Sequence, residues 1–148
     1  MVGILFPGFH DARTSLGLLA LRGVAGAAFI FHGWPKIQNP TGWMGPDPGV
    51  PGFLVAAAAV AEFGGGIAWI LGALTPLFSL LLIGTMGYAA FIFHIPRGDP
   101  FVSLTPPSYE LALVYLAVAV LLLLAGPGRL SVDYCLFGRA GHERPPGG

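Results

Sequence analysis

Charge is what this sequence has least of. Only 9% of its 148 residues are Asp, Glu, Lys or Arg, while 55% are hydrophobic and the mean hydropathy is +0.76. A soluble domain carries about 25% charged residues, so the composition excludes a chain that keeps itself dissolved. The formal net charge is +0 and no basic cluster occurs, which speaks against nucleic acid, whose binding rests on Lys and Arg set against phosphates. Cysteine is nearly absent: the lone Cys135 allows neither an internal disulfide nor a Cys-ligated cluster. Alternating apolar and polar residues are missing too, which excludes a membrane β-barrel. No basic leader and no clear small-residue cleavage site accompany the first apolar run, so it is expected to stay as a helix and not to be removed as a signal peptide.

What remains is four continuous apolar runs, at about 16–35, 53–74, 77–95 and 109–125. A helix needs about 17 to 25 residues to cross a bilayer core, and the last run only just qualifies. The expected fold is all-α, an integral membrane four-helix bundle forming one domain over residues 1–148. The tail 139–148 has no apolar pattern and is expected to be disordered.

The hexapeptide Ala-Ala-Phe-Ile-Phe-His occurs twice, as Ala27 to His32 and as Ala89 to His94. A proline and a base follow each copy (Pro35 and Lys36, then Pro96 and Arg97), and a second breaker follows those, Asn39-Pro40 or Asp99-Pro100. This predicts two related helical hairpins that deliver their histidines to the same side of the membrane. Arg13, Arg129, Arg139 and Arg144 fall on the side of the termini and only Lys36 and Arg97 on the other, which places both termini in the cytoplasm. The link Leu74-Thr75-Pro76 then faces the cytoplasm, with Pro76 suited to a helix's first turn. Trp34 and Trp43 fit an interfacial aromatic belt near the outer boundary.

An ionisable group inside a spanning helix costs about 2.5 to 3.5 kcal/mol, so each needs a partner or a task. Arg22 lies about 15 Å below His32 and Glu62 about 14 Å below the start of its helix near Phe53, at 1.5 Å per residue. The matched depths predict a buried Arg22–Glu62 ion pair, which would either fix how the first two helices dock or form part of a catalytic site. Ala58, Ala61, Gly65 and Gly66 lie one turn from Glu62 and give it a small-residue face, open to a neighbouring helix or a flat ligand. His32 and Lys36, four apart, share a face of the first helix, with Pro35 set to kink or end it between them. Gly87, Ala90 and His94 are expected on one face of the third. His32, His94, Lys36 and Glu110 are the candidate cofactor-binding residues. Glu110 has a competing structural role, as an acid in a first turn capped by Ser108. Two histidines at equal depth raise bis-His haem, a lesser option because first and third helices of an up-down bundle stand diagonally. No spacing of His, Cys, Asp and Glu marks a metal site.

With these residues in view, the chain resembles the DoxX family of small bacterial and archaeal membrane proteins. The resemblance covers nearly all of Leu19 to Asp133 and is carried by six segments. They are Leu21-Arg22-Gly23; Phe31-His32-Gly33-Trp34-Pro35-Lys36; Ala61-Glu62-Phe63-Gly64-Gly65-Gly66; Leu71-Gly72-Ala73-Leu74-Thr75; Tyr109-Glu110; and Gly126-Pro127-Gly128-Arg129-Leu130-Ser131-Val132-Asp133. It implies a four-helix membrane protein tied to respiratory or sulfur redox chemistry, since relatives include a subunit of thiosulfate:quinone oxidoreductase. The chain has no extra redox domain and no Cys pair, which sets it apart from thiol chemistry.

The leading expectation is a quinone-interacting subunit of an inner-membrane oxidoreductase. Apolar walls from Phe29, Phe31, Phe91 and Phe93 would meet a carbonyl-binding His32 or His94 and a proton-exchanging Glu62. The electrons would come from a protein partner. The alternatives are a non-catalytic anchor or assembly subunit of a larger complex or homo-oligomer, and a small-solute or proton transporter. An open cleft around Glu62 and His94 would favour the ligand reading; a filled interior would favour the anchor.

Overall fold

The computed structural model describes residues 11–46 and 49–138. The tail 139–148, with Arg139 and Arg144, lies outside them. Every regular element among the described residues is helical. Helix α1, Ala12–Gln38, begins at Asp11, whose carboxylate accepts the Thr14 amide at 2.8 Å and so satisfies one of the donors a helix start leaves open. It does not stop at Pro35. So near the end of the helix a proline removes a single intrahelical bond, and the helix continues through Lys36 to Gln38.

Helix α2, Gly52–Leu71, ends at Gly72, whose left-handed backbone (φ 63°) closes the last turn. Helix α3, Thr75–Gly87, carries Pro76 in its first turn, as its fixed φ suggests. It then widens into a π-helix over Tyr88–His94 and tightens into a 3-10 turn over Ile95–Arg97. Helix α4 spans Glu110–Ala125, and a six-residue helix α5, Val132–Phe137, follows it. The stretch Ala12–Gln38, the stretch Gly52–Leu71 and the continuous run Thr75–Arg97 are long and apolar enough to cross a membrane; α4 is shorter. Ser108, the expected cap of α4, makes no capping bond; Tyr109 occupies that position.

Helices α1 and α2 lie antiparallel at glycine contacts. A Cβ on Gly26 would fall 2.6 Å from the Gly66 carbonyl oxygen, and one on Gly33 would fall 2.5 Å from the Phe63 amide. Only glycine permits that approach. Gly65 meets Leu82 and Phe78 of α3. Between the helices, Phe29 stands edge-on to Trp69 with ring centroids 5.4 Å apart and tilts against Tyr115 of α4 at 4.7 Å. Leu82, Ala119 and Leu122 complete this core. Helix α4 packs mainly on α3 and touches α1 sparingly.

This register overturns the expected Arg22–Glu62 pair. Arg22 lies beside Trp69 and Ile70, while Glu62 lies beside Lys36. Fourteen residues of α1 separate the two levels, about 21 Å. The matched depths assumed that His32 is level with the start of α2. In fact α2 begins ten residues, about 15 Å, beyond the level of Lys36, and the loop after Gln38 climbs along those first turns, where Trp43 Nε1 donates to the Val55 carbonyl at 3.1 Å. Glu62, ten residues into α2, is therefore level with Lys36.

Candidate functional site

Lys36 Nζ lies 2.6 Å from each carboxylate oxygen of Glu62. The carboxylate is almost fully buried, its side chain 3% exposed, whereas that of Lys36 is 24% exposed. The ammonium also sits 4.3 Å from the Trp43 ring centroid, so the cation is held between a carboxylate and an aromatic face. An ammonium has three N–H donors. Two go to Glu62 and the third is available on the side open to solvent.

This pair borders a cavity of about 620 Å³. The floor comes from α2 (Ala58, Ala61 and Glu62) and one wall from α1 (Phe29, His32 and Lys36). Leu111, Ala112 and Tyr115 of α4 face it, and Trp43 and Met44 belong to the loop above. The small-residue face of α2 is thus shared out: Gly65 and Gly66 receive the neighbouring helices, and Ala58 and Ala61 leave space. The walls are mostly apolar and the polar groups few, the pattern of a small-molecule site.

His94 enters this cavity by way of the π-helix. Along the run that starts with α3 the lining residues recur about every four: Leu80 and Leu81, then Gly84 and Thr85 with Met86 beside them, then Tyr88 and Ala89. The next pair is Phe93 and His94, five residues on. A continued α-helix would have presented Ile92 and Phe93; the wider turn brings His94 in instead. The expected grouping of His94 with Ala90 fails for the same reason, since Ala90 is buried in packing. His94 Nδ1 lies 2.8 Å from Asp99 Oδ2. His32 reaches the cavity from α1 and meets Tyr115 edge-on, with ring centroids 6.4 Å apart.

Arg22 is at the other end of the molecule, fully buried. Its Nη1 donates to the carbonyls of Trp69 at 2.9 Å and Ile70 at 3.4 Å, and its Nη2 to that of Leu130 at 2.5 Å. The first two belong to the last turn of α2, which carries the negative end of the helix dipole; the Trp69 carbonyl also accepts the Gly72 amide at 3.1 Å. Asp133 mirrors this at the start of α3: its two carboxylate oxygens accept the amides of Leu74 at 2.8 Å and Thr75 at 2.9 Å. Ser131 caps α5 through the Tyr134 amide, and the Arg129 amide donates to Ser15 Oγ at 3.0 Å on α1. The segment after α4 therefore ties the α2–α3 turn to α1.

Of the residues picked out in the sequence, Glu62, Lys36, His32 and His94 line one cavity, and Arg22 does not. Glu110 is exposed on the first turn of α4, its amide donating to the Phe101 carbonyl at 3.0 Å, and it is not among the lining residues. Trp43, Tyr115 and Asp99 were missed as site residues. Asp99 had a signal, an acid five residues after a histidine, but it reads as a turn breaker beside Pro100.

Residues 17–95 match the family model described as DoxX. The matched stretch holds Arg22, His32, Lys36, Glu62 and His94, but not Asp99, Glu110 or Asp133. The chain is 34% identical over 126 residues to the inner membrane protein YqjF of Escherichia coli strain K12, an alignment covering 82% of this chain and 92% of that one. It is 31% identical over 122 residues to an uncharacterized protein of Haemophilus influenzae, covering 81% and 90%. No solved structure matches it.

Proposed function

The chain belongs to the DoxX family of membrane proteins, and we propose that it serves as the quinone-binding membrane subunit of a redox system, with the cavity at Lys36 and Glu62 as the quinone site. The observation that carries this reading is the cavity itself: about 620 Å³ of mainly apolar space into which an ion pair and two histidines converge. Ligand sites of this kind run from about 300 to 1,000 Å³. A filled interior would have favoured an anchor subunit instead.

The residues fit the group. Phe29, Leu54, Leu80 and Leu111 offer a wall for a ring and the start of an apolar tail. The free N–H of Lys36 suits one oxygen, and His94 or His32 suits the other. When bound, a quinone supplies a carrier of two electrons and two protons. The protein's part is to bind it, orient it and hold protons near its oxygens: Glu62 keeps Lys36 charged and aimed, and the Trp43 loop restricts water above them. No electron carrier is encoded in the chain's own motifs, so the reading assigns electron transfer to a partner protein, in keeping with the implied kinship to thiosulfate:quinone oxidoreductase. The same reading takes the four apolar helices as a bundle of two related hairpins with both termini cytoplasmic. The position of Arg13 and Arg129 at the end opposite Lys36 and Arg97 supports that orientation.

The test is a lipid extract and an ultraviolet–visible spectrum of the full chain purified in mild detergent. A quinone in stoichiometric amount, lost in Glu62→Gln, is the expected result. Folded, lipid-retaining protein that carries no quinone and binds none when decylubiquinone is added would overturn the reading and leave the anchor subunit in its place.

A further inference from the structure

We propose that the cavity prefers the reduced, hydroxyl-bearing form of its ligand, because His94 presents Nε2 to it as a hydrogen-bond acceptor. This rests on the quinone reading above and adds to it a choice between the two redox forms. The argument starts at Asp99. An ionised carboxylate accepts hydrogen bonds and donates none. The 2.8 Å contact between Asp99 Oδ2 and His94 Nδ1 therefore places the ring proton on Nδ1. A neutral imidazole with its proton there has an acceptor at Nε2, and the bond made by one ring nitrogen sets the role of the other.

The π-helix gives this a purpose. It carries His94 into the lining, where an α-helical continuation would have put Ile92 and Phe93. The neighbouring cation does not compete for Asp99, because the Arg97 guanidinium lies over the Phe93 ring, 4.2 Å from its centroid. An acceptor at Nε2 welcomes the hydroxyl of a hydroquinone and repels the carbonyl oxygen of a quinone. Lys36 donates equally well to a hydroxyl or a carbonyl oxygen, and the lining hydroxyls of Thr85, Ser108 and Tyr115 can donate or accept and so take either form. Each Glu62 oxygen already accepts from Lys36, and its remaining acceptor capacity would act in the same sense as His94. His32 meets Tyr115 by its ring edge, with no hydrogen bond among the described residues to fix its tautomer.

The experiment is anaerobic isothermal titration calorimetry of the full chain in detergent, with decylubiquinol and decylubiquinone. Expected is binding of the quinol on the order of tenfold tighter than the quinone, the worth of one hydrogen bond made in place of one repelled. Asp99→Asn sharpens the result. Its amide can either accept from Nδ1–H or donate to Nδ1, so the ring proton is no longer fixed on Nδ1 and the preference should shrink while the thermal unfolding midpoint holds. A loss of packing alone would weaken both ligands together and leave their ratio unchanged. His94→Ala should cut the preference sharply. Wild-type protein that binds both forms within about twofold, or a His94→Ala variant that keeps the full quinol preference, would overturn the proposal and leave the quinone site standing. Failure of either form to bind would overturn the quinone reading, and this inference with it.

Discussion

The two ends of the molecule each hold a cation and an anion inside an apolar helical protein, and they use them differently. At one end, Arg22 and Asp133 are spent on backbone. The guanidinium satisfies carbonyls at the C-terminal end of α2 and the carboxylate satisfies amides at the N-terminal end of α3. Each charge meets the helix end of opposite polarity. At the other end, Lys36 and Glu62 bond to each other, beside open space and under an aromatic lid. A charge inside a membrane helix is therefore a sign of function only once its bonding capacity has been counted. The Arg22 end has become a joint, its Nη groups on backbone and its buried Nε without a partner among the described residues; the Lys36 end keeps its donor beside open space.

The comparison predicts its own largest effect. Replacing Arg22 by Met takes the guanidinium from three carbonyls, of which that of Trp69 keeps the Gly72 amide, and leaves Asp133 without its nearby cation. The expected loss is about 3 to 5 kcal/mol of stability, the range for breaking a buried charge arrangement, read by denaturant unfolding in mixed micelles. Arg22→Lys should recover little of it, because one ammonium lacks the planar fork that reaches α2 and Leu130 together. An Arg22→Met variant within about 1 kcal/mol of wild type would show that the joint is dispensable.

A smaller and asymmetric effect belongs to the other end. Lys36→Met strands a carboxylate whose side chain is only 3% exposed, at a cost of about 2 kcal/mol. Glu62→Gln leaves an ammonium that still has the Trp43 ring and water, so its cost should stay near 1 kcal/mol or below. Both should lose ligand. Equal costs would mean that Lys36 is as enclosed as its partner, and the picture of a reserved donor would fail.

Much of this was legible in the sequence. Composition and run length gave an all-helical chain with three long apolar helices and a shorter fourth, and the placing of Pro76 in a first turn followed from its fixed φ. Glu62, Lys36 and the two histidines stood out because polar groups are so few. Register did not stand out, because it depends on where helices end. His32 was set level with the start of α2, whereas α2 begins ten residues beyond the level of Lys36, so Arg22 was matched with the wrong acid. The repeated hexapeptide misled in a subtler way. Ala27 to His32 is regular α-helix, while the identical Ala89 to His94 lies wholly in a π-helix. The same six residues are wound differently in the two surroundings, so the second histidine's direction could not be read from the first. Arg22 and Asp133 were individually visible, but each bonds to backbone far along the chain, and backbone partners leave no mark in a sequence.

Glu110 supplies the smallest expected effect and the sharpest boundary. It stands exposed on the first turn of α4, where an acid complements the positive end of the helix dipole, and the cavity is lined instead by Leu111, Ala112 and Tyr115 from the same helix. Glu110→Gln should lower the thermal unfolding midpoint only to the edge of detection and leave the amount of retained ligand unchanged. Should ligand be lost with the fold intact, the polar site would have to extend past α4's first turn, and the reserved donor at Lys36 would share its task with a carboxylate outside the cavity wall.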